Sequence, residues 1–184
     1  GYTVYCPRLR GHGTSPEDLA KRQWIDWYHS VNRAYIIMEN YVDDIAIIGF
    51  STGAGLALLQ AAKKRDNFKG VISINAPLKL QNIKSRFSSA VMMWNNLADK
   101  IKLSKAKMEY VSNEPENPHI NYFRNPVHGV NELGKLMNTV ENSLELIKVP
   151  VLVIQGSEDP VVNPDSAYEI FNKLTTLKKE LHMI

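Results

Sequence analysis

The chain has 184 residues, 44% of them hydrophobic and 22% charged, with a formal net charge of +3, a make-up that suits one soluble globular domain with a real core. So small a charge, with KKR at 63–65 and LKK at 177–179 reading as solvated helix or loop ends, offers no basic stripe for nucleic acid. No apolar run is long enough to span a bilayer, and the single Cys6 gives no disulfide framework, which fits a reducing, cytoplasmic setting and a thiol buried in YTVYC.

In chain order, YTVYC (2–6) reads as a buried strand, followed by a loop RGHGTS and an amphipathic helix over 23–41. In that helix Trp24, Trp27, Tyr28, Val31, Ala34, Tyr35 and Met38 share one side. DIAIIGF (44–50) is a second strand, and a helix begins at once after Ser51, carrying Leu56, Leu59 and Gln60. GVISIN (70–75) and VPVLVIQ (149–155) are strands, Asn-Pro-Asp opens a helix over 164–174, and KELHMI (179–184) is a weaker last strand. Near-continuous apolar strands suit a parallel sheet covered on both faces, and the alternation with helices makes the class α/β.

Residues 78–147 break the alternation with no strand pattern. They are expected to form a helical lid, with helices near 83–99 and 129–146 and a polar loop SNEPENPH (112–119), inserted into a core made of 1–77 and 148–184. The chain starts and stops inside strand patterns, which reads as a piece cut from something longer.

GFSTG (49–53) places one hydroxyl between two glycines at the seam of a strand and a helix. The pattern G-x-S-x-G in that setting is a nucleophile elbow. The turn is so sharp that the serine backbone is strained. Side chains at positions 49 and 53 are expected to collide with the neighbouring strand and helix. Ser51 is thereby presented at the carboxyl edge of the sheet, above a helix N-terminus where the Thr52 N–H can donate to a developing oxyanion. The competing reading is a serine N-cap between packing glycines. A serine needs a base, itself oriented by an acid. GSEDP, after the strand ending at 155, supplies Glu158 and Asp159, and Asp159 is the chosen acid because serine-then-acid is the order this motif demands; a plain Asp-Pro turn is the alternative.

GHGTS (11–15), GFSTGAG (49–55), the helical insertion and GSEDPVVNPDSA (156–167), in that order, resemble the α/β-hydrolase fold, in particular its lidded carboxylesterase and monoacylglycerol lipase branch. The resemblance implies a serine hydrolase of carboxylic esters, with Ser51 as nucleophile, Asp159 as triad acid and Thr52 as one oxyanion donor. Two departures go with it. The family's catalytic histidine follows the last strand, whereas His182, the only histidine after Asp159, falls inside the strand pattern. The loop with the second oxyanion N–H would precede GYTVYC. Both imply the central part of a longer hydrolase, with the histidine beyond this chain and little activity in these residues alone.

The other histidines have duller expectations. His12 is structural, as its motif is in the family; His29 lies on the long helix; His119 and His128 flank the lid loop. No histidine pair has metal-ligand spacing with a carboxylate, so neither metal nor cofactor is expected. In the lid, Phe87, Ala90, Val91, Trp94 and Leu97 align at helical spacing, chiefly to pack the lid, and Met92, Met93 and Met137 would add adaptable pocket walls. No basic cluster suggests an acidic substrate. A small neutral ester with an apolar acyl chain is the partner that the resemblance implies, and the oligomeric state is open. A non-catalytic binding module, or a thioesterase, acyltransferase or peptidase on the same fold, are the alternatives.

Overall fold

A computed structural model describes residues 1–64, 67–79, 109–112 and 122–184. Four strands, β1 (Ala46–Phe50), β2 (Gly70–Ile74), β5 (Val151–Gln155) and β6 (Lys179–Met183), form one sheet in the order β1-β2-β5-β6. Every pairing in it is parallel, with Phe50 opposite Ile74, Ile74 opposite Ile154 and Ile154 opposite His182. The crossovers run through helices, as parallel pairing requires. α3 (Thr52–Lys64) joins β1 to β2, and α5 (Asp165–Lys173) joins β5 to β6. Ahead of them lie α1 (Pro16–Leu19) and α2 (Trp24–Met38), and α4 (Val127–Glu141) precedes a 3-10 turn at Leu144–Leu146.

The alternation of side chains along the strands divides the sheet into two unlike faces. Ile47, Val71, Val151, Val153, Leu181 and Met183 join the core cluster under the helices. α3 is the centre of that cluster: every residue from Ala54 to Ala62 is buried, with the sheet on one side and α2 and α4 on the other. The opposite face carries Ile48, Ile72, Ile74, Leu152 and Ile154, and at β1 it is open to solvent, with Ile48 64% and Phe50 66% exposed. Among the described residues the helices thus cover one face, not the two that the apolar strand runs suggest. Apolar content alone cannot tell a covered face from an uncovered one.

The segment 2–6 is not a strand. Tyr2 and Val4 stand in solvent and Cys6 is exposed, so the thiol is not buried. A β-rich sequence becomes a strand only against a neighbour's ladder, and among the described residues β1 is paired on its β2 side alone.

The stretch 78–147 holds a short antiparallel pair, β3 (Tyr110–Ser112) with β4 (Arg124–Pro126), where no strand was expected. Its last helix, α4, packs on α2 and α3 with Leu136, Met137 and Val140 in the core. The Cε of Met137 fills the space that a Gly55 side chain would occupy, so Met137 is a core contact and not a pocket wall. The helix expected at 83–99, with Phe87, Ala90, Val91, Met92, Met93, Trp94 and Leu97, lies outside the described residues, as does His119. On the near side, Lys79 is tied to α5: its N–H donates to Ser166 Oγ at 2.7 Å, and its carbonyl accepts from Asn163 N–H at 2.9 Å.

Candidate active site

Ser51 sits between β1 and α3 with φ of 53°. This is the left-handed region, which a serine rarely enters without surrounding structure to hold it there. An N-cap has extended backbone angles, so the positive φ separates this corner from a simple helix cap. Its backbone is fixed on both sides: the N–H donates to the Ile74 carbonyl at 2.9 Å, and its own carbonyl accepts from Ala54 N–H at 2.9 Å. The two flanking glycines are not equivalent. A Cβ on Gly49 would overlap the backbone of Gly53 and Ala54, whereas one on Gly53 meets no atom within 4 Å. The expected collision therefore holds at position 49 and fails at position 53, because the side-chain direction of Gly53 points into open space. Thr52 is the first residue of α3, and the first N–H groups of a helix have no intrahelical acceptor.

One strand over, Asn75 follows β2 as Ser51 follows β1, and it too is left-handed, with φ of 49°. Its N–H donates to the Ile154 carbonyl at 2.9 Å, continuing the step from strand to strand. Asp159 lies in the loop after β5 and is half-buried. Its Oδ1 accepts the N–H groups of Val161 (2.8 Å) and Val162 (2.9 Å), and its Oδ2 accepts Asn75 Nδ2–H at 2.6 Å. Glu158 beside it is exposed. Ser51 and Asp159 therefore share the carboxyl edge of the sheet, on strands two spacings apart, about 10 Å. No hydrogen bond joins them among the described residues.

The histidines stand elsewhere. His182 lies on β6 opposite Ile154, on the open face of the sheet, with Nε2 3.4 Å from Glu180 Oε2. His12 meets the Trp27 ring edge-on at 5.6 Å, and its Nδ1 is 3.4 Å from the Arg10 carbonyl. Burial lowers its pKa, and the hydrogen bond to Arg10 opposes that only in part. His29 is exposed, and exposed His128 lies 3.1 Å from the Arg22 carbonyl. The loop around His12 also carries a basic group not anticipated from the sequence. Arg8, Arg10 and Arg22 line a cleft of about 450 Å³ with Asp18. Arg22 is engaged by Asp18, and Arg10 by Asp26 at 3.2 Å.

A strand-to-helix corner with a strained serine, set along one sheet edge from an anchored carboxylate, decides the family question together with the whole-chain match. The family described as serine aminopeptidase, S33, matches residues 1–184. The chain belongs to this α/β-hydrolase family. It is 28% identical over 184 residues to a thermostable monoacylglycerol lipase of Bacillus sp. (strain H-257), covering 98% of this chain and 69% of that protein. It is 26% identical over 183 residues to a carboxylesterase of Bacillus subtilis (strain 168), covering 98% and 70%. Among solved structures, one described with the metagenome-derived lipolytic enzymes LipS and LipT gives a TM-score of 0.84 at 27% identity, over 100% of this chain and 72% of that chain. As in other α/β hydrolases, the sheet is mostly parallel and flanked by helices. No helix among the described residues is long and apolar enough to cross a membrane.

Proposed function

We propose that the protein is a serine hydrolase of carboxylic esters in which Ser51 is the nucleophile and Asp159 the acid that orients the base. The observation that carries this reading is the left-handed Ser51 at the β1–α3 corner, facing the same sheet edge as a carboxylate held by three donors. In the proposed reaction Ser51 Oγ attacks the ester carbonyl as an imidazole takes its proton. The oxyanion that develops is met by the Thr52 N–H at the α3 N-terminus, where the helix field also favours negative charge. The imidazole then returns the proton to the leaving alcohol, and water repeats the cycle on the acyl-enzyme. None of His12, His29, His128 and His182 bonds to Ser51 or Asp159, and the base is proposed to be another imidazole.

The substrate class proposed is a small neutral ester with an apolar acyl chain, in line with the lipase and carboxylesterase named above. The part of residues 78–147 that precedes α4 is proposed to cover the site as a lid, α4 itself being packed on α2 and α3, and the compartment proposed is the cytoplasm. The test is hydrolysis of p-nitrophenyl butyrate and of a monoacylglycerol by the full-length gene product, with fluorophosphonate labelling. Ser51→Ala is expected to remove both turnover and label, a loss of roughly 10⁶-fold. A full-length product that neither turns over esters nor labels at Ser51 would favour a non-catalytic binding module.

A further inference from the structure

Asp159 is not placed by its own loop alone. The loop supplies two donors, Val161 N–H and Val162 N–H, and both go to Oδ1. Two bonds to one oxygen leave the carboxylate free to swing about them. The second oxygen is fixed from the neighbouring strand, by Asn75 Nδ2–H at 2.6 Å. The same side chain accepts the Gly156 N–H on its Oδ1 at 3.0 Å. Its amide therefore clasps the first residue after β5 and the carboxylate three residues later. The clasp depends on the backbone of Asn75, which is left-handed and anchored by its N–H on Ile154. Asparagine tolerates that conformation better than most side chains, and its amide offers a donor and an acceptor on one carbon in one plane.

We infer that Asn75 is the positioning residue of the acid: it holds Asp159 Oδ2 in one orientation so that its remaining lone pair meets the imidazole. This rests on the serine-hydrolase reading above. A carboxylate accepts about four hydrogen bonds, so one donor on Oδ2 leaves room for an imidazole N–H there. Asn75 touches neither substrate nor reacting atoms; it acts through Asp159.

Asn75→Asp separates this role from simple loop support. The substitution keeps the size, the tolerance of a left-handed backbone and the acceptor for Gly156 N–H. It replaces the donor facing Asp159 with an acceptor and sets two carboxyl groups against each other. In the full-length gene product kcat is expected to fall about 10²-fold, the scale of a misplaced catalytic group, with KM unchanged. Asn75→Gly, which keeps the backbone conformation, should also lower kcat with KM unchanged. Amide exchange at Val161 and Val162 should quicken in Asn75→Asp, because their acceptor moves. Wild-type kcat in Asn75→Asp overturns the inference. Ser51→Ala, run beside it, tests the parent reading: if it keeps turnover, or if the wild type has none, that reading has failed. Unchanged exchange at Val161 and Val162 in Asn75→Asp then overturns the inference separately.

Discussion

The carboxylate of Glu132, on α4, accepts the backbone N–H of Trp24, the first residue of α2, at 3.0 Å. Glu132 is almost fully buried, at 2% exposure, and its other oxygen accepts Lys135 Nζ at 2.6 Å. Asp26 serves the Gln23 N–H at 3.0 Å, so the start of α2 is closed by one carboxylate of its own and one borrowed from 108 residues away. Anions at a helix N-terminus answer both its free donors and its field.

Removing that borrowed carboxylate strands a part-buried N–H. Glu132→Ala is expected to cost about 1–3 kcal/mol of unfolding free energy in urea titrations, and Glu132→Gln less, because its amide oxygen still accepts from Trp24. Burial pushes the Glu132 carboxyl up, but Lys135 and the Trp24 N–H outweigh it and hold the pKa below the ordinary value. The sign follows. A depressed carboxyl contributes stability above the ordinary glutamate range and loses it as pH falls through the lower, folded value. The wild type should therefore lose more stability than Glu132→Gln over that acid window, and equal losses would contradict it.

His12 runs on a different part of the pH scale. Its folded pKa is lowered, chiefly by burial beside Trp27, so the unfolded chain binds its proton first. Its contribution is full above the ordinary histidine range and is lost as pH falls from that range towards the lower folded value. An NMR titration of the ring should give a midpoint below the ordinary histidine value. A midpoint at or above it would show that the ring is not held in the Trp27 contact.

The glycines of the elbow are separable by substitution. Gly49→Ala puts a methyl into the Gly53 backbone and should destabilise the protein by several kcal/mol or prevent folding. Gly53→Ala should be neutral or slightly stabilising, since the space is open and alanine is the better helix former by about 1 kcal/mol. Thermal unfolding of the two variants side by side decides the matter; equal melting temperatures would contradict the geometry.

Ser51 itself is held at a stability cost. Glycine adopts its φ of 53° freely. Ser51→Gly is expected to raise unfolding free energy by about 1 kcal/mol while removing esterase turnover in the full-length product. A less stable Ser51→Gly would mean that the hydroxyl, not the backbone, dominates the energetics of the corner.

Much of this architecture was legible because local pattern and tertiary role coincide. β1, β2, β5 and β6 are apolar and β-branched, and the Gly49-Phe50-Ser51 seam announces a strand ending in a helix. Legibility failed where the deciding partner is distant. Nothing in YTVYC says whether a neighbouring strand will accept its backbone. The periodicity of 127–141 marks an amphipathic helix but not that its apolar side meets α3 through Met137 and Gly55. Asn75 escapes a reading of the sequence because a single asparagine after a strand looks like any turn. Its one available signal was position: it follows β2 as Ser51 follows β1, and asparagine is a residue that accepts left-handed angles.

The order β1-β2-β5-β6 has a consequence for how the chain finds its fold. β1 and β2 pair Ala46 with Gly70, 70 − 46 = 24 positions apart, and β5 and β6 pair Val151 with Lys179, 179 − 151 = 28 apart. Each is a local βαβ unit that can close early. The central seam pairs Val71 with Val151, 151 − 71 = 80 positions apart. Closing so long a loop costs entropy before any contact repays it, and non-local parallel pairing is intrinsically slow. Ser51 belongs to one unit and Asp159 to the other, with the Asn75–Asp159 hydrogen bond spanning the seam. The two halves of the site are therefore expected to meet in the slow phase of refolding, after most helical signal has returned.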